Sequence, residues 1–177
     1  MRFPGLVLAC ALVALGAGKP ADNIAWGEPD HGVRLGIALG SRAPDPQIRV
    51  VFENVDRPEC LMPLGSESAK GPVYDVEFAA TSPSGQEAPI FNFNGPPGIQ
   101  HGAKPIQIEI PRGQKREIVL SLNKLMYLEK GQSLPVTGLL AKHYSVHAMV
   151  DTSGEARWTR TRDQWMGRLV SGELRQQ

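Results

Sequence analysis

A chain of 177 residues with a formal net charge of +1 is large enough for one domain with its own core. It is too short for two comfortable ones. The near-neutral balance supplies no global field for holding nucleic acid or an anionic membrane, so no nucleic-acid partner is expected.

Met1-Arg2 supplies one positive charge, Phe3 to Ala17 is apolar, and Ala14-Leu15-Gly16 and Gly16-Ala17-Gly18 offer small residues to a signal peptidase. A spanning helix needs about 20 apolar residues. This run is shorter and carries Pro4 and Gly5. The expectation is a signal peptide at 1–18, cleaved between residues 16 and 21. The mature protein is then secreted or periplasmic, and its only link to a membrane is the export signal. A retained anchor is the alternative, and Val7-Leu8-Ala9-Cys10 loosely resembles a lipoprotein box. Once the signal leaves, Cys60 is the sole cysteine, so no intramolecular disulfide forms and the core must hold the fold unaided. Within ECLMPL, Cys60 reads as a small buried hydrophobe.

Residues 19–32 form a lead-in rich in Gly, Pro, Asp and Asn, with Trp26 as an anchor on the edge of the fold. Val33, Leu35, Ile37 and Leu39 then alternate with Arg34, Gly36 and Ala38, the period-two pattern of a half-buried strand. The clearest strand is Gln47 to Pro58, QIRVVFENVDRP, in which Ile48, Val50 and Phe52 face the core while Arg49, Val51 and Glu53 face outward. It ends where Asn54, Asp56 and Pro58 favour a turn. This is the expected central strand. Glu59 to Leu64 predicts a short apolar strand, Gly65 to Pro72 a polar loop, and Tyr74 to Ala80 another strand closed by Ser82-Pro83-Ser84-Gly85. Pro89 to Phe93 predicts a short return strand and Asn94 to Lys104 an exposed loop. Ile106 to Ile110 and Ile118 to Leu122 read as neighbouring strands. Asn123 to Lys130, NKLMYLEK, is the expected helical piece of at most two turns. Tyr144 to Val150 is a further strand, and Arg157 to Leu174 predicts a closing hairpin. Short strands at this spacing, punctuated by Gly and Pro, mean a sandwich or barrel.

The segments WGEPDHGVRLGI, IRVVFENVDRP, PIQIEIPRGQKREIVLSLNKLMYL, HYSVHAMVD and WMGRLVSGEL resemble a loose group of exported bacterial immunoglobulin-like domains. Those domains show an opening Trp-Gly, a strand ending in an Asn turn, a Tyr-x-Val-x-Ala strand and a closing Trp-x-Gly-x-x-x-Ser. The segment VYDVEFAATSPSGQEAPIF is similar to the sandwich family of the intracellular proteinase inhibitor BsuPI. That family's tryptophan-rich stretch is replaced here by Ala88-Pro89-Ile90. The resemblance therefore implies a fold and carries no inhibitory activity with it. The fold class it implies is all-β: an immunoglobulin-like antiparallel β-sandwich over 33–177 with at most one short helical turn.

Three sets of residues are candidates for chemistry. His143, His147 and Met149 lie on the face of HYSVHAMVD opposite Tyr144, Val146, Ala148 and Val150, and imidazole with thioether suits copper. Trp158, Arg160 and Arg162 interleave an aromatic with cations, a pattern that grips anionic polymers or stacks on sugars. Phe93 and Ile99 place apolar side chains in the Asn92 to Gly102 loop, as a recognition loop would. Catalysis has no motif: there is no Gly-x-Ser-x-Gly elbow, His-Glu-x-x-His, phosphate loop or dinucleotide fingerprint. The expected protein is a monomeric, non-catalytic binding or structural module without a cofactor. It contacts a protein or an envelope polysaccharide through loops or a sheet edge. The alternative is a periplasmic copper-binding protein using His143, His147 and Met149.

Overall fold

The computed structural model describes residues 23–40, 44–68, 71–92, 104–153 and 164–175. Among them, every ladder between named strands is antiparallel. The described residues are all-β with one short α-helix. No helix among the described residues is long and apolar enough to cross a membrane.

The first sheet contains β1 (Ala25–Trp26), β2 (Val33–Leu39), β3 (Gln47–Asn54) and β9 (Lys115–Ser121), in the order β1-β2-β3-β9. A three-stranded sheet places β4 (Leu61–Ser68) between β5 (Gly71–Tyr74) and β8 (Lys104–Glu109). The largest sheet has six strands in the order β11-β10-β7-β6-β12-β13. These are β6 (Glu77–Thr81), β7 (Glu87–Asn92), β10 (Leu125–Glu129), β11 (Gln132–Pro135), β12 (Ser145–Asp151) and β13 (Arg168–Val170).

Alternation decides which side of each strand is wet. Val33, Leu35 and Ile37 on β2, Ile48, Val50 and Phe52 on β3, and Val146, Ala148 and Val150 on β12 all enter one buried cluster. Phe78, Leu125, Trp165 and Leu169 belong to the same cluster, and β2 packs against β12 and β13. β3 is an interior strand, as its pattern predicts, and β2 and β9 pair along its whole length. Asn54 at its end is fully buried. Its amide oxygen accepts from the Arg57 N–H at 2.8 Å, while its amide nitrogen donates to the Ile110 carbonyl at 2.8 Å. The Asn turn thus stitches the loop after β3 to the end of β8.

Three local expectations are corrected. NKLMYLEK is not a two-turn helix: a 3₁₀ turn covers Leu122–Lys124 and β10 takes Leu125–Glu129. Leu125 and Tyr127 are buried while Leu128 is exposed, because β10 pairs with β7 on one side and β11 on the other. The only α-helix among the described residues is α1 (Thr137–Ala141), whose Leu139 and Leu140 enter the core. Gly65 to Pro72 is not a loop either, since β4 runs to Ser68 and pairs antiparallel with β5 from Gly71 onward. Gly65 makes this hairpin close: its φ is +147°, and a Cβ there would lie 2.0 Å from the Val73 carbonyl oxygen. Last, the strands at Ile106 to Ile110 and Ile118 to Leu122 are not neighbours: β8 pairs with β4 and β9 with β3, in different sheets. The expected signal peptide at 1–18 lies outside the described residues.

Candidate functional site

The outer face of the first sheet is built by strand register. Arg34 lies opposite Glu53, and Glu53 opposite Lys115; one step along, Gly36 lies opposite Val51, and Val51 opposite Glu117. Arg34 Nε donates to Glu53 at 2.6 Å, and Arg49 donates to Glu117 through Nε at 3.0 Å and Nη2 at 2.6 Å. These are cross-strand and diagonal pairs of opposite charge, the sheet's equivalent of helical i,i+4 pairs. Trp26 lies over this surface. The Arg34 guanidinium carbon is 4.4 Å from its ring centroid and Lys115 Nζ is 5.1 Å away, within cation–π reach. Only a glycine fits beneath the ring, because a Cβ on Gly36 would approach Trp26 to 2.6 Å and Ile24 to 2.5 Å.

Ile24, Trp26, Arg49, Val51, Lys115, Arg116 and Glu117 enclose a shallow concavity of about 270 Å³ on this face. It opens beside β9, the last strand of the sheet. The bonds at either end of the β3–β9 ladder fix the phase of that edge: Asn54 N–H donates to Gln114 O, and Leu122 N–H donates to Pro46 O. In an antiparallel ladder, hydrogen-bonded and non-hydrogen-bonded pairs alternate. Arg116, Ile118 and Leu120 therefore aim their backbone groups at β3. Lys115, Glu117, Val119 and Ser121 aim theirs at the free edge, beyond which no strand lies among the described residues. Val119 is 47% exposed on the outer face.

The sequence-predicted copper set is only partly assembled. His147 and Met149 share the outer face of β12, opposite Ala79 and Glu77. His143 lies before the strand, in the turn after α1, with φ +62°. It therefore does not continue the strand face that its spacing suggested. Arg168 Nε reaches the Met149 sulfur at 3.1 Å, which places a cation on the thioether. Glu173 lies near His147; its carboxyl is held below the ordinary range by Arg175, then by the Ser145 hydroxyl, with a smaller contribution from His147. Among the described residues no three His, Cys, Asp or Glu side chains gather as a metal site would. Phe93, Ile99, Trp158, Arg160 and Arg162 lie outside the described residues.

Residues near the closing motif have structural partners. Trp165 is fully buried and its indole N–H donates to the Asp30 carbonyl at 3.2 Å. Ser171 Oγ accepts from the Ala148 N–H at 2.9 Å. Cys60 is buried, and burial pushes its thiol up to about 11.

The outer-face site of β9 was missed by sequence reasoning, which placed Arg49, Val51 and Glu53 on the outward face and assigned no site to them. Trp26 was the available signal. Its partners Gly36, Arg34 and Lys115 became visible only through register. No protein-family model matches the chain, and no curated protein or solved structure gives a significant match.

Proposed function

We propose that this chain is an exported, immunoglobulin-like β-sandwich that acts as a monomeric, non-catalytic binding module and takes an extended protein segment along the edge of β9. The observation that carries this reading is the outer edge of β9, beyond which no strand lies among the described residues. Lys115, Glu117, Val119 and Ser121 direct their backbone donors and acceptors away from β3, over a strand of seven residues. Strand addition uses such a row for affinity and neighbouring side-chain seats for specificity. The two-sheet sandwich is supported by the single buried cluster shared by the first and six-stranded sheets and by the packing of β2 on β12 and β13. Export rests on the charge and apolar pattern of residues 1–18. The copper reading has weaker support, because Arg168 caps Met149 and His143 is off the strand.

Selecting ten-residue peptides from a random displayed library against the mature protein tests the edge. Bound peptides should protect the amides of Lys115, Glu117 and Val119 from hydrogen exchange. Protection elsewhere, or no selected peptide, overturns the reading. For export, N-terminal sequencing of protein expressed from the full chain in a bacterium should find a start between residues 17 and 21; an intact Met1 would refute it.

A further inference from the structure

We infer that the segment received by β9 has a divided chemistry: apolar where it passes Ser121 to Ile118, and acidic where it reaches Arg116 and Lys115. This inference rests on the edge reading above and adds the identity class of the partner.

The division follows from the residues along the edge. Toward the C-terminal end of β9, Val119 is exposed on the outer face, and Ile118 and Leu120 lie at the margin of the core. An added strand there would have to offer apolar side chains to both faces. Toward the N-terminal end the concavity opens, and its rim holds Lys115 and Arg116, both exposed. Glu117 is already matched by Arg49, and Glu53 by Arg34. Lys115 reaches Glu53 only at 3.9 Å. Arg116 donates to the neutral acceptors Gln114 Oε1 and Lys115 O. An ammonium has three donors and a guanidinium five, so both cations retain capacity for a carboxylate. The four cations Arg34, Arg49, Lys115 and Arg116 outnumber Glu53 and Glu117 around this end.

Every ladder between named strands among the described residues is antiparallel, and the incoming strand is taken to pair with β9 in the same sense. Its N-terminal half then carries the apolar residues and its C-terminal half the acids. A second copy of this chain fits poorly. Full-length antiparallel pairing of β9 with itself sets Lys115 against Ser121 and Arg116 against Leu120, so neither cation meets an acid. Charge complementarity therefore favours a different protein.

The test uses three synthetic peptides and fluorescence anisotropy with the mature protein. One has three apolar residues, a spacer and two glutamates; the second has glutamine for both glutamates; the third reverses the order. The first should bind roughly fivefold more tightly than the second, as two exposed ion pairs of about 0.5 kcal/mol each allow. The preference should shrink with added sodium chloride and vanish in a Lys115→Gln/Arg116→Gln variant whose thermal unfolding is unchanged. The reversed peptide should bind more weakly than the first. Charge-independent binding that is lost in Val119→Pro would overturn the acidic-partner inference and leave the edge reading standing. No peptide binding at β9 overturns both and leaves Lys115 and Arg116 as guards against edge pairing. Concentration-dependent sedimentation abolished by Val119→Pro would reassign the edge to a second copy.

Discussion

At Asn54 one fully buried side chain satisfies three backbone groups: the Arg57 N–H, the Arg57 carbonyl and, in the interior, the Ile110 carbonyl. Replacing it with alanine leaves buried backbone groups unpaired, and each costs about 1–3 kcal/mol. Asn54→Ala should lower the urea midpoint by an amount equal to at least about 2 kcal/mol, with the m-value unchanged. Gly36→Ala acts on the opposite side of the first sheet, where its Cβ would push on the Trp26 ring. Such overpacking costs about 1–3 kcal/mol. The expected outcome is loss of the Arg34 and Lys115 stacking and a shift in tryptophan emission. Cys60 contributes to the alkaline side of stability. Its thiol pKa is raised from 9.0 to about 11 by burial, so the folded state holds its proton more tightly than the unfolded one. Its contribution is intact below pH 9 and is lost as pH rises through 11, so stability should fall over that window. A thiol reagent at pH 8 should label Cys60 only on unfolding.

Among the elements, β9 gives the sharpest contrast because its two backbone phases do different jobs. Val119→Pro removes a donor that faces the free edge and should leave the thermal unfolding temperature nearly unchanged. Ile118→Pro removes a donor aimed at β3 and should destabilise the first sheet markedly, well beyond any loss from Val119→Pro. If circular dichroism melts show equal losses for the two, the assigned phase is wrong. β10 teaches a related lesson about sequence patterns. In NKLMYLEK, Leu125 and Tyr127 alternate with Met126 and Leu128, yet the good helix formers Leu, Met, Glu and Lys suggested a helix. Pairing with β7 and β11 overrides that preference, since propensity is a weak prior beside a ladder and a buried face.

For the whole molecule, the acid limb of stability belongs to exposed carboxylates at several edges. Glu129 is lowered by Lys142, Asp151 by Ser153 and Glu173 by Arg175. A carboxyl whose folded pKa is depressed contributes above its unfolded value and loses that contribution as pH falls through the folded one. Stability should therefore decline from about pH 5 downward, and added salt should make the decline shallower, because exposed pairs are screened. A single core joins the sheets, so these changes should appear in one cooperative transition rather than several.

The strands around Val33 to Leu39, Gln47 to Asn54 and Ser145 to Asp151 were legible because alternation is a local property: each apolar side chain declares its face without reference to a partner. Cys60 reads as a small buried hydrophobe from its apolar neighbours in ECLMPL, and it is buried. Strand order and register are non-local, and they alone brought Trp26 over Gly36, set Lys115 beside Glu53, and left β9 at an edge with its odd-numbered amides outward. His143 shows the limit in miniature, since the residue spacing is right for a strand and the backbone there has already turned. One-dimensional periodicity can say which way a side chain points from its own strand. Which strands meet depends on loop closure and on packing many residues away, and that was settled only by the tertiary structure.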